Sequence, residues 1–125
     1  MTDQGSAELT AALAEYGIDY ANAMERMMDN AALYKQLSAH YVVDENYKGF
    51  VEAMALDDFD TAYTRVHTLK GVAGNLSFST LYALAAQACD ELTGGNPEGA
   101  RALIDAIGAA DKSVRAGLDY WQGLA

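Results

Sequence analysis

His67, Lys70, Gly71 and Gly74 stand close together in the run His67-Thr68-Leu69-Lys70-Gly71-Val72-Ala73-Gly74-Asn75. These residue types at these offsets suit a group carried on an imidazole. Imidazole has an ordinary pKa of about 6.5, so near neutral pH much of it is an uncharged nucleophile. A lysine one helical turn later supplies a mobile ammonium for an anion held on the ring. Each glycine inside a helix costs about 1 kcal/mol relative to alanine, which points to something large approaching the imidazole. Helical side chains lean back over the preceding turn. A side chain at position 71 would therefore overhang the ring. Gly71 removes it, and Gly74 is expected to clear the next turn. Tyr63 and Thr64 complete the neighbours on that side. Nucleophile, counter-charge and open space together describe a phosphoryl acceptor and its docking point. The plainer alternative is a helix histidine without a role, beside glycines that permit tight helix packing. The lysine and both glycines at these offsets weigh against it.

The helix that must hold this run is legible in its apolar spacing. Asp58 offers a cap, and Phe59, Ala62, Val66, Leu69, Ala73 and Leu76 recur at intervals of three and four. At 100° per residue, His67 falls about 120° from the middle of that seam, beside the core and at least partly exposed. A first helix is expected over 7–16, ending at Gly17. Asp19 then caps 20–28, with Met24, Met27 and Met28 on an apolar side, expected to pack as core, the alternative being an adaptable docking surface beside the bundle. Asn30 caps a helix through Leu33, Tyr34, Leu37 and Tyr41. The pattern loosens at 43–45 and resumes with Tyr47, Phe50, Val51 and Met54, and the spacing does not decide whether 30–57 form one bent helix or two. Ser77-Phe78-Ser79 predicts a short turn, with Ser79 capping a helix that runs to Leu92 or Thr93. Gly94-Gly95-Asn96-Pro97 predicts a loop, with Pro97 at the first position of a single final helix reaching Trp121. The expected fold is all-α: an antiparallel up-and-down four-helix bundle with an additional N-terminal helix or helices. One domain is expected over 1–125, with an N-terminal extension over about 1–17 and a core over about 18–125.

Composition narrows the function. Of 125 residues, 51% are hydrophobic, enough for a folded core. Eighteen acidic against 8 basic residues give a net charge of −10, which argues against nucleic acid and against anionic membranes as partners. Cys89 is the sole cysteine, so an internal disulfide is excluded, and its apolar surroundings predict a small buried side chain. No apolar run approaches membrane-spanning length and no leader-like N-terminus is visible, so a cytoplasmic protein is expected. His40 and His67 lack ligand-like spacing, and no metal site is expected. Nothing resembles a nucleotide-binding loop.

The run from His67 resembles a known signature. His67-x-Leu69-Lys70-Gly71-x-Ala73, followed by Gly74-Asn75-Leu76, is similar to that of histidine-containing phosphotransfer (HPt) domains, and the similarity extends from about Ile18 to the last helix. Such domains are four-helix bundles that relay phosphoryl groups in multistep two-component signalling. The resemblance implies phosphorylation of His67 on Nε2, stabilisation of the phosphoryl oxygens by Lys70, and access for a receiver domain over Gly71. It implies a carrier and not an enzyme, with no ATP site and no cofactor of its own, the receiver bringing Mg²⁺. The implied partners are response-regulator receiver domains and a hybrid sensor histidine kinase, and a monomer is expected. In several family members a polar residue on the facing helix bonds the other ring nitrogen. If the hairpin turns near Ser77, residues 87 and 88 lie level with His67, and Gln87 is the candidate; it reads equally well as a solvated helix residue. Glu91 matches the acidic residue near the end of that helix. One departure is visible: the family commonly has glycine where Ser77 stands, ten residues after the histidine. Two alternatives remain beside the carrier: an interaction module that is never phosphorylated, and the histidine-bearing module of a chemotaxis-type kinase.

Overall fold

Asp19, Asn30, Asp58 and Asn96 each accept a side-chain hydrogen bond from the backbone N–H three residues ahead, and each starts a helix. The donors are Asn22 (3.1 Å), Leu33 (3.0 Å), Thr61 (3.2 Å) and Gly99 (3.2 Å), N–H groups that a helix start otherwise leaves unpaired. The computed structural model describes residues 3–123; residues 1–2 and 124–125, the extremities of the expected domain, lie outside the described residues. The chain forms α1 (Asp3–Ala14), α2 (Tyr20–Arg26), α3 (Ala31–Ala39), a 3₁₀ turn (His40–Val43), α4 (Asn46–Ala55), α5 (Phe59–Asn75), α6 (Ser79–Thr93), α7 (Pro97–Arg101) and α8 (Ile104–Gln122). No strand occurs among the described residues.

The bundle consists of α4, α5, α6 and α8. Helix α5 packs on α4 and α6, and α8 closes the ring against α6 and α4. Short connections at 56–58 and 76–78 turn α4 onto α5 and α5 onto α6 as antiparallel neighbours. The α5 seam of Ala62, Val66, Leu69 and Ala73 is wholly buried, facing Phe50 and Met54 on one side and Leu81, Ala85 and Ala88 on the other. Cys89 is buried too, and burial pushes its thiol up. The preceding helices cover one end. Ile18 and Leu13 are buried, Trp121 packs against Tyr20 and Tyr34 with centroids 5.6 Å away in each case, and the Tyr34 hydroxyl donates to the Leu76 carbonyl at the end of α5.

Residues 30–57 form two helices, and α8 decides this. The Tyr41 hydroxyl donates to Asp111 Oδ1 (2.5 Å), while Arg115 Nε donates to Asp111 Oδ2 (3.1 Å). The Arg115 guanidinium also donates to the carbonyls of Val42 and Asp44 (2.8 Å each) and lies 4.7 Å from the Tyr41 ring centroid. These bonds draw the 3₁₀ turn onto α8 and end α3. Burial, with the adjoining Asp111 carboxylate second, pushes the Tyr41 phenol up.

Three expectations need correction. The final helix is two helices, because Leu103 N–H turns back to Ala100 O (3.0 Å) and Arg101 binds the Met54 carbonyl and Asp57 (2.9 Å each), tying α7 to the end of α4. Ser79 is the first residue of α6 and not its cap. Phe78 takes the cap position without a side-chain bond, held there by burial of its ring edge-on to Tyr41 at 5.2 Å. Met24 and Met27 pack against the core, but Met28 is 88% exposed. It has left α2 for a left-handed turn (φ 54°) that points it outward.

Candidate functional site

Within α5, Val66 and Leu69 are anchored in the core, and this rotates His67 and Gly71 to the outside, where both are exposed. Lys70 is half-buried, on the side turned to α6, close enough for its ammonium to oppose the rise of the Cys89 thiol. His67, Lys70, Gly71, Gly74 and Asn75 form one wall of a groove of about 470 Å³. Tyr82 and Ser79 of α6, Asp19, Asn22 and Arg26 at α2, and Ser77 line the rest.

The two glycines do different work. A Cβ at Gly71 would meet nothing within 4 Å, so the space over this part of α5 is open as expected. A Cβ at Gly74 would lie 3.1 Å from the Tyr82 ring. Gly74 therefore lets α6 approach closely, the tight-packing role, instead of clearing the ring.

Tyr63 stacks on the imidazole, with centroids 5.5 Å apart and planes 16° from parallel. Thr64 faces its own helix, its hydroxyl donating to the Asp60 carbonyl (3.1 Å). Gln87 is exposed on α6 and absent from the groove wall, and no hydrogen bond joins it to His67. Glu91 accepts from the Asn96 side chain (3.2 Å), bracing the loop ahead of α7. His40 lies exposed in a neighbouring groove of about 380 Å³, among Met27, Leu37, Val72 and Leu76.

Sequence reasoning did not find the α2 wall. Asp19 was legible as a cap only, and Arg26 is the one basic residue on α2, one turn after Asn22. Arg26 Nε donates to Asn22 Oδ1 (3.1 Å), the oxygen that also accepts from Ser77 Oγ (2.8 Å). The Ser77 carbonyl in turn accepts from the Asp19 N–H (2.8 Å). Neither Arg26 nor Lys70 forms an ion pair among the described residues. The groove thus carries two cations without a direct ion pair, against the single carboxylate of Asp19, on a chain of net charge −10, a local balance suited to an anion.

Ser77 explains the departure from glycine. Its φ is 61°, a left-handed conformation that costs a non-glycine residue about 1 kcal/mol. The bond to Asn22 offsets a similar amount. Ser77→Gly is therefore expected to leave the unfolding free energy within about 1 kcal/mol of wild type by urea titration. A loss above about 2 kcal/mol would mean that the Asn22 bond dominates.

A helical bundle that displays one imidazole at the rim of an open groove is a carrier architecture: the ring can hold a group, and the open face admits whatever delivers it. The Hpt domain family matches residues 42–119, more than half of the chain, and the chain belongs to that family, the histidine phosphotransfer domains of phosphorelays. The match contains α4, α5, α6 and α7 and the full run from His67 to Asn75, but starts later than the expected Ile18, leaving α1 to α3 ahead of it. No curated protein and no solved structure matches the chain.

Proposed function

We propose that the protein is a phosphorelay intermediary that accepts and donates a phosphoryl group on His67, passing it between receiver-domain aspartates. The observation that carries this reading is the exposed imidazole, one turn from an unpaired Lys70 and facing the open space over Gly71. In the accepting step, Nε2 attacks the phosphorus of an aspartyl phosphate. The N–P bond forms from the Nε2 lone pair as the P–O bond breaks, and the donor carboxylate leaves with the bonding pair; the ring, with its proton on Nδ1, takes up the positive charge that the Nε2 lone pair gives up. Transfer onward is the reverse at another aspartate. Lys70 neutralises charge on the phosphoryl oxygens. Gly71 and the groove give the receiver access, and Arg26 adds a cation on its far wall. Tyr63 lies beside the ring, stacked on it from one turn back.

On this reading the chain is a monomeric carrier without its own ATP site. A hybrid sensor histidine kinase stands upstream, receivers on either side bring Mg²⁺, and the cytoplasm is where they meet. Among the described residues no helix is long and apolar enough to cross a membrane. Incubation with phosphorylated receivers tests the proposal: acid-labile label should appear on the protein, and its absence with every receiver of the source organism would overturn it. Lys70→Ala should keep the fold and slow transfer by roughly tenfold, the scale of one lost charge-assisted contact of about 1.5 kcal/mol. Single-turnover quench kinetics measure this, and an unchanged rate would remove the role given to Lys70.

A further inference from the structure

We propose that Tyr63 is the positioning residue for the acceptor imidazole, holding His67 by its face instead of by a ring nitrogen. This deepens the phosphoryl-carrier reading, and its kinetic part rests on that reading. Tyr63 precedes His67 by one helical turn, the turn over which a helical side chain leans. The rings lie 5.5 Å apart and 16° from parallel, the offset-stacked arrangement that aromatic pairs favour. No described residue makes a hydrogen bond to either ring nitrogen. The stack is thus what limits the orientation of the imidazole on one side. One turn in the other direction, a Cβ at Gly71 would meet nothing within 4 Å.

The arrangement has a chemical consequence. A facing-helix amide would occupy one nitrogen and fix the tautomer; a stacked phenol ring leaves both nitrogens open and restricts only the ring's tilt. In-line attack on phosphorus requires the nitrogen lone pair to be aimed, and rotational freedom lost beforehand is not lost in the transition state. Tyr63 is 37% exposed and packs outside the core, so its removal should disturb orientation more than folding. The phenol ring, not its hydroxyl, makes the contact, so phenylalanine should replace it.

The experiment compares the full chain with Tyr63→Ala and Tyr63→Phe, each carrying ¹³C,¹⁵N-labelled histidine. Two quantities are read: imidazole order by NMR relaxation, and kcat and KM for transfer from a receiver charged with acetyl phosphate. Tyr63→Ala should lose order at the His67 ring and show kcat about two- to tenfold lower, the range that a stacked aromatic pair supports. Its KM and thermal midpoint should stay near wild type, and Tyr63→Phe should match wild type in both readouts. Wild-type ring order and kcat in Tyr63→Ala would overturn the proposal. So would a change in KM alone, which marks a docking contact, or a Tyr63→Phe variant as impaired as Tyr63→Ala. If wild type takes no phosphoryl group from any receiver, the carrier reading fails, and the relaxation data still decide whether Tyr63 holds the ring.

Discussion

His67→Gln is expected to abolish phosphoryl acceptance, lowering the initial rate of transfer from a phosphorylated receiver by at least about 10³-fold, as removal of a sole nucleophile does. Among the described residues no second imidazole lines the groove. Lys70 and Arg26 are cationic, and the Ser77 hydroxyl is committed to Asn22. The second histidine, His40, lies in the neighbouring groove. Because His67 is exposed and makes no hydrogen bond to a described residue, glutamine there should cost no more than its stack on Tyr63, about 1.5 kcal/mol at most. Loss of label would then reflect lost chemistry, which a cooperative circular dichroism melt well above the assay temperature confirms. Equal labelling of the mutant would sink the assignment of His67. Labelling of wild type by a chemotaxis-type kinase with ATP, combined with failure with every hybrid-kinase receiver, would favour the module of such a kinase over the relay carrier.

Gly71→Gln should separate folding from access. The Cβ position is empty to 4 Å, and glutamine is a better helix former than glycine by about 0.5 to 1 kcal/mol. The variant should therefore melt at or above the wild-type temperature. Its side chain leans back over the turn that holds the imidazole, covering the face from which a phosphodonor arrives. Displacing reactants by about 1 Å is enough to cost up to 10²-fold in rate, and transfer is expected to fall by about that much. Stopped transfer assays at matched protein concentration measure it. A folded Gly71→Gln protein that transfers at the wild-type rate would show that the glycine serves something other than access.

The opposite behaviour of the two glycines shows where reading along one helix ends. Gly71 and Gly74 look alike within α5, since both break the helix-forming pattern near His67. Only the neighbouring helix tells them apart, because Tyr82 presses on Gly74 and nothing approaches Gly71. Gln87 illustrates the same limit. Counting back from a hairpin turn sets it level with His67, but level is not facing. Rotation of α6 about its own axis is fixed by Leu81, Ala85 and Ala88 entering the core, and that rotation leaves Gln87 in solvent. The methionines repeat the lesson at smaller scale: spacing groups Met28 with Met24 and Met27, while the left-handed turn at the end of α2 sends it outward.

What the sequence by itself determined is everything governed by contacts within a few residues. The caps at Asp19, Asn30 and Asp58 bond the third residue ahead. The three-and-four spacing of Ala62, Val66, Leu69 and Ala73 defines the buried side of α5, and with it the exposure of His67 and Gly71. Those local terms were sufficient for the all-α bundle and for the family signature from His67 to Asn75. The tertiary structure decided what depends on residues far apart in the chain. Asp111 and Arg115 reach back some seventy residues to Tyr41 and its turn, dividing residues 30–57 into two helices. Ser77 binds Asn22 and Asp19 across the hairpin end, which brings Arg26 to the wall of the groove beside His67. No periodicity encodes such pairings, since they form only when helices already folded by local rules come together and bury what remains.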